Sequence, residues 1–163
     1  MKKTSTKAKN SSCWLMKTEP DVFSIRDLAK APNQTIDWFG IRNYQARNYM
    51  RDQMNLGDRV LVYHSNAKPS CVVGTAFVVR TSYPDHTAWD ANHEYFDPKS
   101  DRHNPRWFMV DIQFESEFSV SLSLEMLRQV PKLSSMVLLR KGSRLSIQPV
   151  TEQEFEIIVK LGR

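Results

Sequence analysis

The segment WFGIRNYQARNYM, residues 38–50, combines flat apolar side chains with side chains that form hydrogen bonds of fixed geometry. It contains no acidic residue, although Asp37 precedes it and Asp52 follows it closely. Its aromatic and basic residues are Trp38, Phe39, Tyr44, Tyr49, Arg42 and Arg47. This mixture suits either the start of an ordinary helix or the border of a binding site.

The second half of this segment has the periodicity of an amphipathic helix that continues to about residue 54. Ala46, Met50 and Met54 recur at helical spacing and, together with Tyr49, predict the buried side of that helix. Gly57 is expected to end it. The sequence thus predicts a helix from about residue 43, with residues 38–43 forming the loop that leads into it.

The rest of the chain contains short strands and helices that do not alternate regularly. We predict strands at residues 13–17, 59–64, 71–80, 106–115 and 143–149, with a bulge or a close backbone approach at Gly74. Short helices are predicted at residues 23–31, 122–128 and 133–139, and a last helix begins with the capping box of Thr151 and Glu154. This order excludes a doubly wound parallel sheet and favours an α+β fold: a small mixed, mainly antiparallel β-barrel flanked by helices.

Composition and charge indicate one soluble domain. The chain has 163 residues, of which 40% are hydrophobic and 25% charged, and its two cysteines, Cys13 and Cys71, are predicted to be buried thiols. Four of its 23 basic residues lie in the first twelve positions, which hold no acid, so 19 basic and 18 acidic residues remain in the body. We therefore predict a disordered basic tail at residues 1–12 and a single domain at residues 13–163. The tail has no apolar segment, so we expect no secretory signal. No apolar run in the sequence approaches the ~20 residues of a membrane helix, so we expect no membrane partner and a cytoplasmic location.

Residues 81–105 form a long polar segment with three prolines, and a loop of this length in a compact domain is usually functional or disordered. Three of the four histidines, His86, His93 and His103, lie in it. Their spacings are irregular and include no compact zinc-type ligand pair, so we predict neither a metal nor another cofactor. Trp107, which follows the segment, is predicted to lie on the more polar face of its strand.

Five polar and aromatic clusters end strands or begin helices: KTEP (17–20), WFGIRN (38–43), YHSN (63–66), PRW (105–107) and RLS (144–146). If they converge, they form a pocket for a flat heterocycle, since stacking on an aromatic ring contributes about 1–3 kcal/mol per base. The alternative for each cluster is structural: Trp38 and Tyr63 also suit the core, and Arg42 and Arg47 also suit surface ion pairs with Asp37 or Asp52.

Six motifs in this order resemble the EVE domain family: WLMKTEP, WFGIRNYQARNYMR, GDRVLVYHSN, the YPDHTAW run, PRWFMVDIQF and GSRLSIQPV. The resemblance covers residues 14 to about 161. Within the family, the sequence is similar to compact single-domain bacterial EVE proteins. Thr18 stands where the family pattern has Ser, and Ile41 where it has Val; both exchanges keep shape and polarity. The family is similar in fold to the PUA and YTH groups.

The resemblance implies a PUA-like barrel that binds nucleic acid through a modified base, with modified cytosine or adenine in DNA as the main candidates, and it implies no catalysis. By matching motifs, the base-binding residues would be Lys17, Thr18, Glu19, Trp38, Gly40, Ile41, Arg42, Asn43, His64, Ser65, Asn66, Pro105, Arg106, Trp107, Arg144 and Ser146. Arg47 and Arg51 would contact phosphates. We expect a monomer.

Three other functions fit the same sequence. An RNA-binding PUA-like module would use the same barrel. A nuclease or nucleobase hydrolase would draw on Glu19, His64 and Asp85. A sensor of a free base or nucleoside would use the pocket alone.

Overall fold

The structure is a computed structural model that describes residues 11–163. Apart from its last two residues, the predicted tail at residues 1–12 lies outside the described part of the chain. The strands are β1 (Cys13–Thr18), β2 (Thr35–Asp37), β3 (Arg59–His64), β4 (Cys71–Pro84), β5 (Phe108–Ser123) and β6 (Ile147–Val150). The α-helices are α1 (Ile25–Lys30), α2 (Tyr44–Asn48), α3 (Leu124–Arg128) and α4 (Glu152–Gly162). Short 3-10 turns cover Pro32–Gln34, His86–Trp89, Pro131–Leu133 and Val137–Leu139.

The strands form one sheet in the order β2-β5-β4-β3-β1-β6, in which β1 and β3 are parallel and the other neighbours antiparallel. This confirms the predicted α+β class with a mixed, mainly antiparallel sheet and flanking helices. Within residues 11–163 no ladder joins β2 to β6, so hydrogen bonding leaves the sheet open. The β4–β5 pair contains several register shifts, and such bulges bend strands and increase their twist, which gives the sheet a barrel-like curvature.

Successive residues of β1 point to opposite faces of the sheet, and each face carries a core. Trp14 and Met16 enter the first core, which is covered by α1 and α2 and also contains Trp38. Leu15 enters the second core, which is covered by α3 and α4. Cys13 and Cys71 are both buried and free, as predicted.

Helix α2 is shorter than the sequence predicts, because a π-helical turn at Tyr49–Gln53 takes over after Asn48. Its predicted buried side is confirmed by Ala46, Met50 and Met54, which are all buried. Asn43 caps the helix: its side-chain oxygen accepts a hydrogen bond from the backbone N–H of Ala46 at 3.0 Å. The predicted capping box that opens α4 is also present.

The predicted helix at residues 122–128 begins two residues late. Leu122 belongs to β5 and pairs with Val72 of β4, and Ser123 is the N-cap of α3. Here cross-strand pairing and burial of Leu122 override the local helical pattern. The predicted helix at residues 133–139 is also wrong: two 3-10 turns, Pro131–Leu133 and Val137–Leu139, are separated by Ser134 and Ser135. Serine is a residue type that disfavours helix interiors.

The last strand starts later than predicted, so Arg144 and Ser146 lie in a loop before β6 and not on a strand face. The cause is Gln148, whose buried amide donates hydrogen bonds to Leu145 O at 2.9 Å and to Ser143 Oγ at 3.2 Å. These bonds fold the loop back on the strand. The Gln148 side chain is fully buried.

None of the helices described in residues 11–163 is long and apolar enough to cross a membrane.

Gly74 lies at a register shift in both β3–β4 and β4–β5 pairing, which confirms the predicted bulge and close approach. A Cβ atom at this position would clash with the backbone oxygen of Ser116. Only a glycine lets β5 approach β4 here.

Gly74→Ala is therefore expected to lower the free energy of unfolding by about 1–3 kcal/mol, the usual cost of forcing extra volume into a packed site. Chemical denaturation followed by circular dichroism measures the change. Ser119→Ala, at an exposed position of β5, is the control and should change this free energy by less than about 0.5 kcal/mol. Equal stability of both variants would show that β4 and β5 can move apart at no cost.

Candidate functional site

A buried carboxylate joins the loop at residues 38–43 to the segment that follows β4. Asp85 Oδ2 accepts hydrogen bonds from the backbone N–H of Gly40 at 2.8 Å and from Arg42 Nη1 at 2.9 Å. Its Oδ1 accepts from the backbone N–H of Thr87 at 2.9 Å and from the Thr87 hydroxyl. The Asp85 side chain is fully buried. Arg42 thus pairs with Asp85, and not on the surface with Asp37 or Asp52.

Burial alone would raise the pKa of Asp85, because it disfavours a charged carboxylate. The hydrogen bonds from Thr87, Gly40 and Arg42, together with the charge of Arg42, outweigh that effect and bring the pKa below its usual range. Asp85 is therefore a carboxylate at neutral pH whose acceptor positions are already occupied by protein donors. These contacts give it a structural role and not that of the free base expected of a catalytic residue.

Arg42 organises the loop further through its other donors. Its Nε and Nη2 donate to the carbonyl oxygen of Tyr95 at 3.1 and 2.7 Å. Its guanidinium carbon lies 5.5 Å from the centroid of the Tyr95 ring and 5.4 Å from that of Trp107. One arginine thus holds the segment before α2 against two parts of the long polar segment.

Trp107 is buried, although the sequence predicted it on a polar strand face, because residues 85–105 fold over it. Its indole N–H donates to Asp97 Oδ2 at 2.7 Å. Tyr44, which is half-exposed, stacks on it with ring centroids 4.9 Å apart and an interplanar angle of 25°. Arg47 lies over the Tyr44 ring at 4.7 Å and donates to the carbonyl oxygen of Arg106 at 3.0 Å.

We call this group the loop cluster; its members are Phe39, Gly40, Arg42, Tyr44, Arg47, Asp85, Tyr95, Arg106 and Trp107.

A second group forms where β1 and β3 end. Because these strands are parallel, their carboxyl ends meet at one edge of the sheet, and Thr18 stands beside His64 in the register. The backbone N–H of Ser65 donates to Thr18 O at 3.0 Å, and the Asn66 amide donates to Glu19 Oε1 at 2.7 Å. We call this group the strand-end cluster; its members are Lys17, Thr18, Glu19, His64, Ser65, Asn66 and Ser146.

Ser146 joins the strand-end cluster through its backbone, since its carbonyl oxygen accepts from the N–H of Lys17 at 2.9 Å. The Lys17 ammonium lies 5.6 Å from the centroid of the Tyr63 ring, and burial lowers the pKa of this lysine. Tyr63 itself is buried, in agreement with the structural alternative for that residue.

His64 acts as a hydrogen-bond acceptor. Its Nε2 accepts from the backbone N–H of Ile25, the first residue of α1, at 3.0 Å. Burial lowers the pKa of His64, with a smaller opposing effect from the carboxylates of Glu117 and Asp27. Because Nε2 can accept only in the neutral ring, both observations indicate an uncharged His64 at neutral pH.

The remaining predicted residues have varied positions. Trp38 and Ile41 are buried in the first core together with Met16 and Val62, which belong to the strands that end in the strand-end cluster. Arg51 forms a two-point ion pair with Asp52. Asn43 and Arg144 are exposed, and Pro105 is half-buried. Arg144 forms none of the hydrogen bonds or ion pairs found among residues 11–163.

Both clusters adjoin the first core, the loop cluster through Trp38 and Ile41 and the strand-end cluster through Met16 and Val62. One surface hollow of about 350 Å³ is lined by His64, Pro69, Cys71, Val73 and Met126, among others. Another, of about 330 Å³, lies at Cys13 and Trp14. Of the sixteen predicted base-binding residues, His64 lines the first hollow and none lines the second. The convergence of all five sequence clusters on one deep pocket stays a prediction.

Sequence reasoning missed several residues that build this site. Tyr95 and Asp97 gave no signal, because they lie in a polar segment without periodicity and act through a carbonyl oxygen and a single carboxylate. Asp85 was considered only as a residue of the enzyme alternative and as part of the YPDHTAW motif, not as the link between two segments. Among the described residues, no group of three or more His, Cys, Asp or Glu side chains lies close enough to hold a metal ion.

The sequence model of the EVE domain matches residues 12–161, nearly the whole chain. The chain belongs to the EVE domain family.

Relatives of this EVE domain include human thymocyte nuclear protein 1, which is 42% identical over 168 residues that cover 93% of this chain and 74% of the human protein. A crystal structure of human THYN1 in complex with DNA that contains 5-methylcytosine is 40% identical, with a TM-score of 0.87, and covers 94% of this chain and 98% of that one. The structure of a hypothetical protein from Leishmania major is 45% identical, with a TM-score of 0.87, and the match covers 94% of this chain and 95% of that one.

The first prediction for the candidate site of this EVE domain concerns Asp85. Its pKa is lower in the folded than in the unfolded protein, where it is about 3.9, so its charge stabilises the fold above about pH 4 and this contribution is lost as the pH falls further. Asp85→Asn leaves Arg42 without its partner and is expected to lower the free energy of unfolding by about 3 kcal/mol at pH 7. Urea denaturation at pH 7 and pH 3.5 measures both effects.

Asp52→Asn is the matched control, because Asp52 also pairs with an arginine but is exposed. It should leave the stability at pH 7 nearly unchanged. If Asp85→Asn is as stable as the control, the buried ion pair does not hold the loop cluster together.

The second prediction concerns His64. Its pKa is lower in the folded protein than in the unfolded chain, where it is about 6.5, so the unfolded chain takes up the proton first and stability falls as the pH drops below about 6.5. His64→Gln keeps an acceptor for Ile25 but cannot titrate. We expect the melting temperature of the wild type to fall more between pH 7 and pH 5 than that of the variant.

His86→Gln, at an exposed position, is the control and should keep the pH dependence of the wild type. Identical pH profiles for His64→Gln and the wild type would contradict the role of His64 as an acceptor that must stay neutral.

Proposed function

We propose that this EVE domain binds nucleic acid and reads a modified base, with 5-methylcytosine in DNA as the favoured ligand. The observation that carries the proposal is the likeness to human THYN1 in complex with DNA that contains 5-methylcytosine, at 40% identity over 94% of this chain. Identity at this level over the full domain favours the same class of ligand. A cytoplasmic location and a monomeric state stay predictions.

The geometry supports a binding face formed by the loop cluster and the strand-end cluster. Both offer backbone and side-chain groups in fixed positions at the border of the first core, and Trp38 extends from that core to the loop. Hydrogen-bond donors and acceptors that are already held in place lose little freedom on binding, which favours selective recognition. The proposed base-binding residues remain those that the family motifs indicate.

The near-balance of charge in the body supports recognition that depends on the base. A protein that binds mainly through phosphates needs many basic residues on one face. Here Arg42 is held by Asp85, and Arg51 by Asp52. Arg47 also donates hydrogen bonds within the protein, to Arg106 O and to Asn48 Oδ1. It could contact a phosphate only in addition to these bonds. Arg144, which is exposed, is the better candidate for an electrostatic contact beside the base.

A base within a duplex is inaccessible to a closed site, so we propose that the modified base leaves the stack. Unstacking costs a few kcal/mol, and contacts with the extruded base must offset that cost. One methyl group in a fitted apolar site contributes about 1–3 kcal/mol to discrimination.

The proposed function predicts different affinities for two duplexes that differ by one methyl group on a single cytosine. We expect the methylated duplex to bind about tenfold more tightly, measured by fluorescence anisotropy at two salt concentrations. The ratio should change little with salt, because the phosphates are the same in both. Equal affinity for both duplexes would contradict the proposal, and tighter binding of an RNA of the same sequence would favour an RNA-binding module instead.

Arg144→Gln is expected to weaken binding of both duplexes, since it removes an exposed charge beside Ser146. Arg128→Gln, which removes an exposed charge from α3, is the matched control and should bind like the wild type. An equal loss in both variants would show that only the net charge matters.

A further inference from the structure

Exposed aromatic side chains are confined to one part of the described chain. Among the large hydrophobic residues that are exposed in residues 11–163, the aromatic ones are Phe39, Tyr44 and Phe96. Phe39 lies in the loop at residues 38–43, Tyr44 directly follows that loop as the first residue of α2, and Phe96 lies in the long segment after β4. The Asp85 and Arg42 contacts hold the loop and the long segment together. Single exposed apolar residues are ordinary, but three aromatic rings on two joined segments form a surface suited to stacking.

Phe39 is held rigidly at the tip of its loop. The next residue, Gly40, has a φ of +84°, which favours glycine, and its N–H is bound to Asp85 at 2.8 Å. A Cβ atom on Gly40 would lie 2.7 Å from the ring of Tyr95, so the backbone passes directly beside that ring. The Phe39 side chain therefore projects from a turn whose conformation is fixed on its C-terminal side.

The ring of Phe39 is supported from the side while remaining 40% exposed. Its centroid lies 5.6 Å from that of His93 at an interplanar angle of 89°, and 6.0 Å from that of Tyr95 at 67°. Both contacts are edge-to-face, so neither ring lies parallel to Phe39. Tyr44 differs, because Trp107 is stacked on it and the Arg47 guanidinium lies over its ring.

From these observations we infer that Phe39 enters the duplex and fills the gap left by the extruded base. This inference rests on the proposed function. Proteins that distort DNA insert apolar side chains between base steps, and a stacked aromatic ring replaces part of the lost stacking. A rigid aromatic side chain loses little freedom on insertion. Phe39 combines exposure, rigidity and the lack of a parallel ring partner on the loop that the family motif places beside the base.

The test compares Phe39→Ala with Phe96→Ala, because Phe96 is also 40% exposed and lies in the segment that supports Phe39. The probes are a duplex with one central 5-methylcytosine and the same methylated strand alone. Since a single strand has no gap to fill, Phe39→Ala should weaken duplex binding about tenfold and single-strand binding less than about twofold. Phe96→Ala should leave the ratio of the two affinities at its wild-type value.

A second readout reports unstacking directly. With 2-aminopurine placed next to the methylcytosine, fluorescence should rise when the wild type binds and rise less with Phe39→Ala at saturation. If Phe39→Ala lowers the melting temperature, Phe39→Gln removes the ring from an exposed position while keeping much of its length, and it should give the same selective loss.

An equal loss for duplex and single strand, or no loss for either, overturns the role of Phe39. The proposed function is judged separately, by whether the wild type prefers methylated to unmethylated duplex. The role of Phe39 is judged by how much Phe39→Ala changes the ratio of duplex affinity to single-strand affinity. This criterion applies whether or not the wild type prefers the methylated duplex.

Discussion

The buried carboxylate of Asp85 is the interaction on which the candidate site depends. Its Oδ2 accepts hydrogen bonds from the backbone N–H of Gly40 and from the guanidinium of Arg42, and its Oδ1 accepts two from Thr87. Residues 38–43, which are a loop, and residues 85–107, whose one helical turn within the described chain is His86–Trp89, are thereby fixed to each other. The ion pair also supports the stacked pair of Tyr44 and Trp107, since Arg42 lies against Trp107.

The sheet contributes the second half of the site through one exception to its antiparallel pattern. Because β1 and β3 run parallel, the residues after each strand emerge at the same edge, where Ser65 and Thr18 share a backbone hydrogen bond. The loop before β6 reaches the same edge through Ser146. Helices α1 and α2 contribute Ile25, Leu28 and Ala46 to the first core, so both polar clusters adjoin one apolar interior.

The sequence predicted what depends on local pattern, and it failed where distant contacts decide. Five of the six strands and the buried side of α2 follow from local patterns, and the close approach at Gly74 follows from a glycine inside a strand. The short strand β2 was not predicted, and β6 starts later than predicted. The burial of Trp107 depends on a polar segment that folds over it, and that of Gln148 on bonds to its own loop. Eleven of the sixteen residues that the family motifs indicate lie in the two clusters, and their role in base binding stays a prediction. The motifs carried no information on the role of Asp85 as the link.

The measurement that tests the proposed binding face most directly is a titration of the ¹⁵N-labelled protein with a duplex that contains one 5-methylcytosine, followed by amide chemical shifts. The account predicts the largest shift changes at residues 38–43, 64–66, 106–107 and 144–146, with α4 unchanged. Changes centred on α4 and on the hollow at Cys13, with residues 38–43 and 64–66 unaffected, would contradict it.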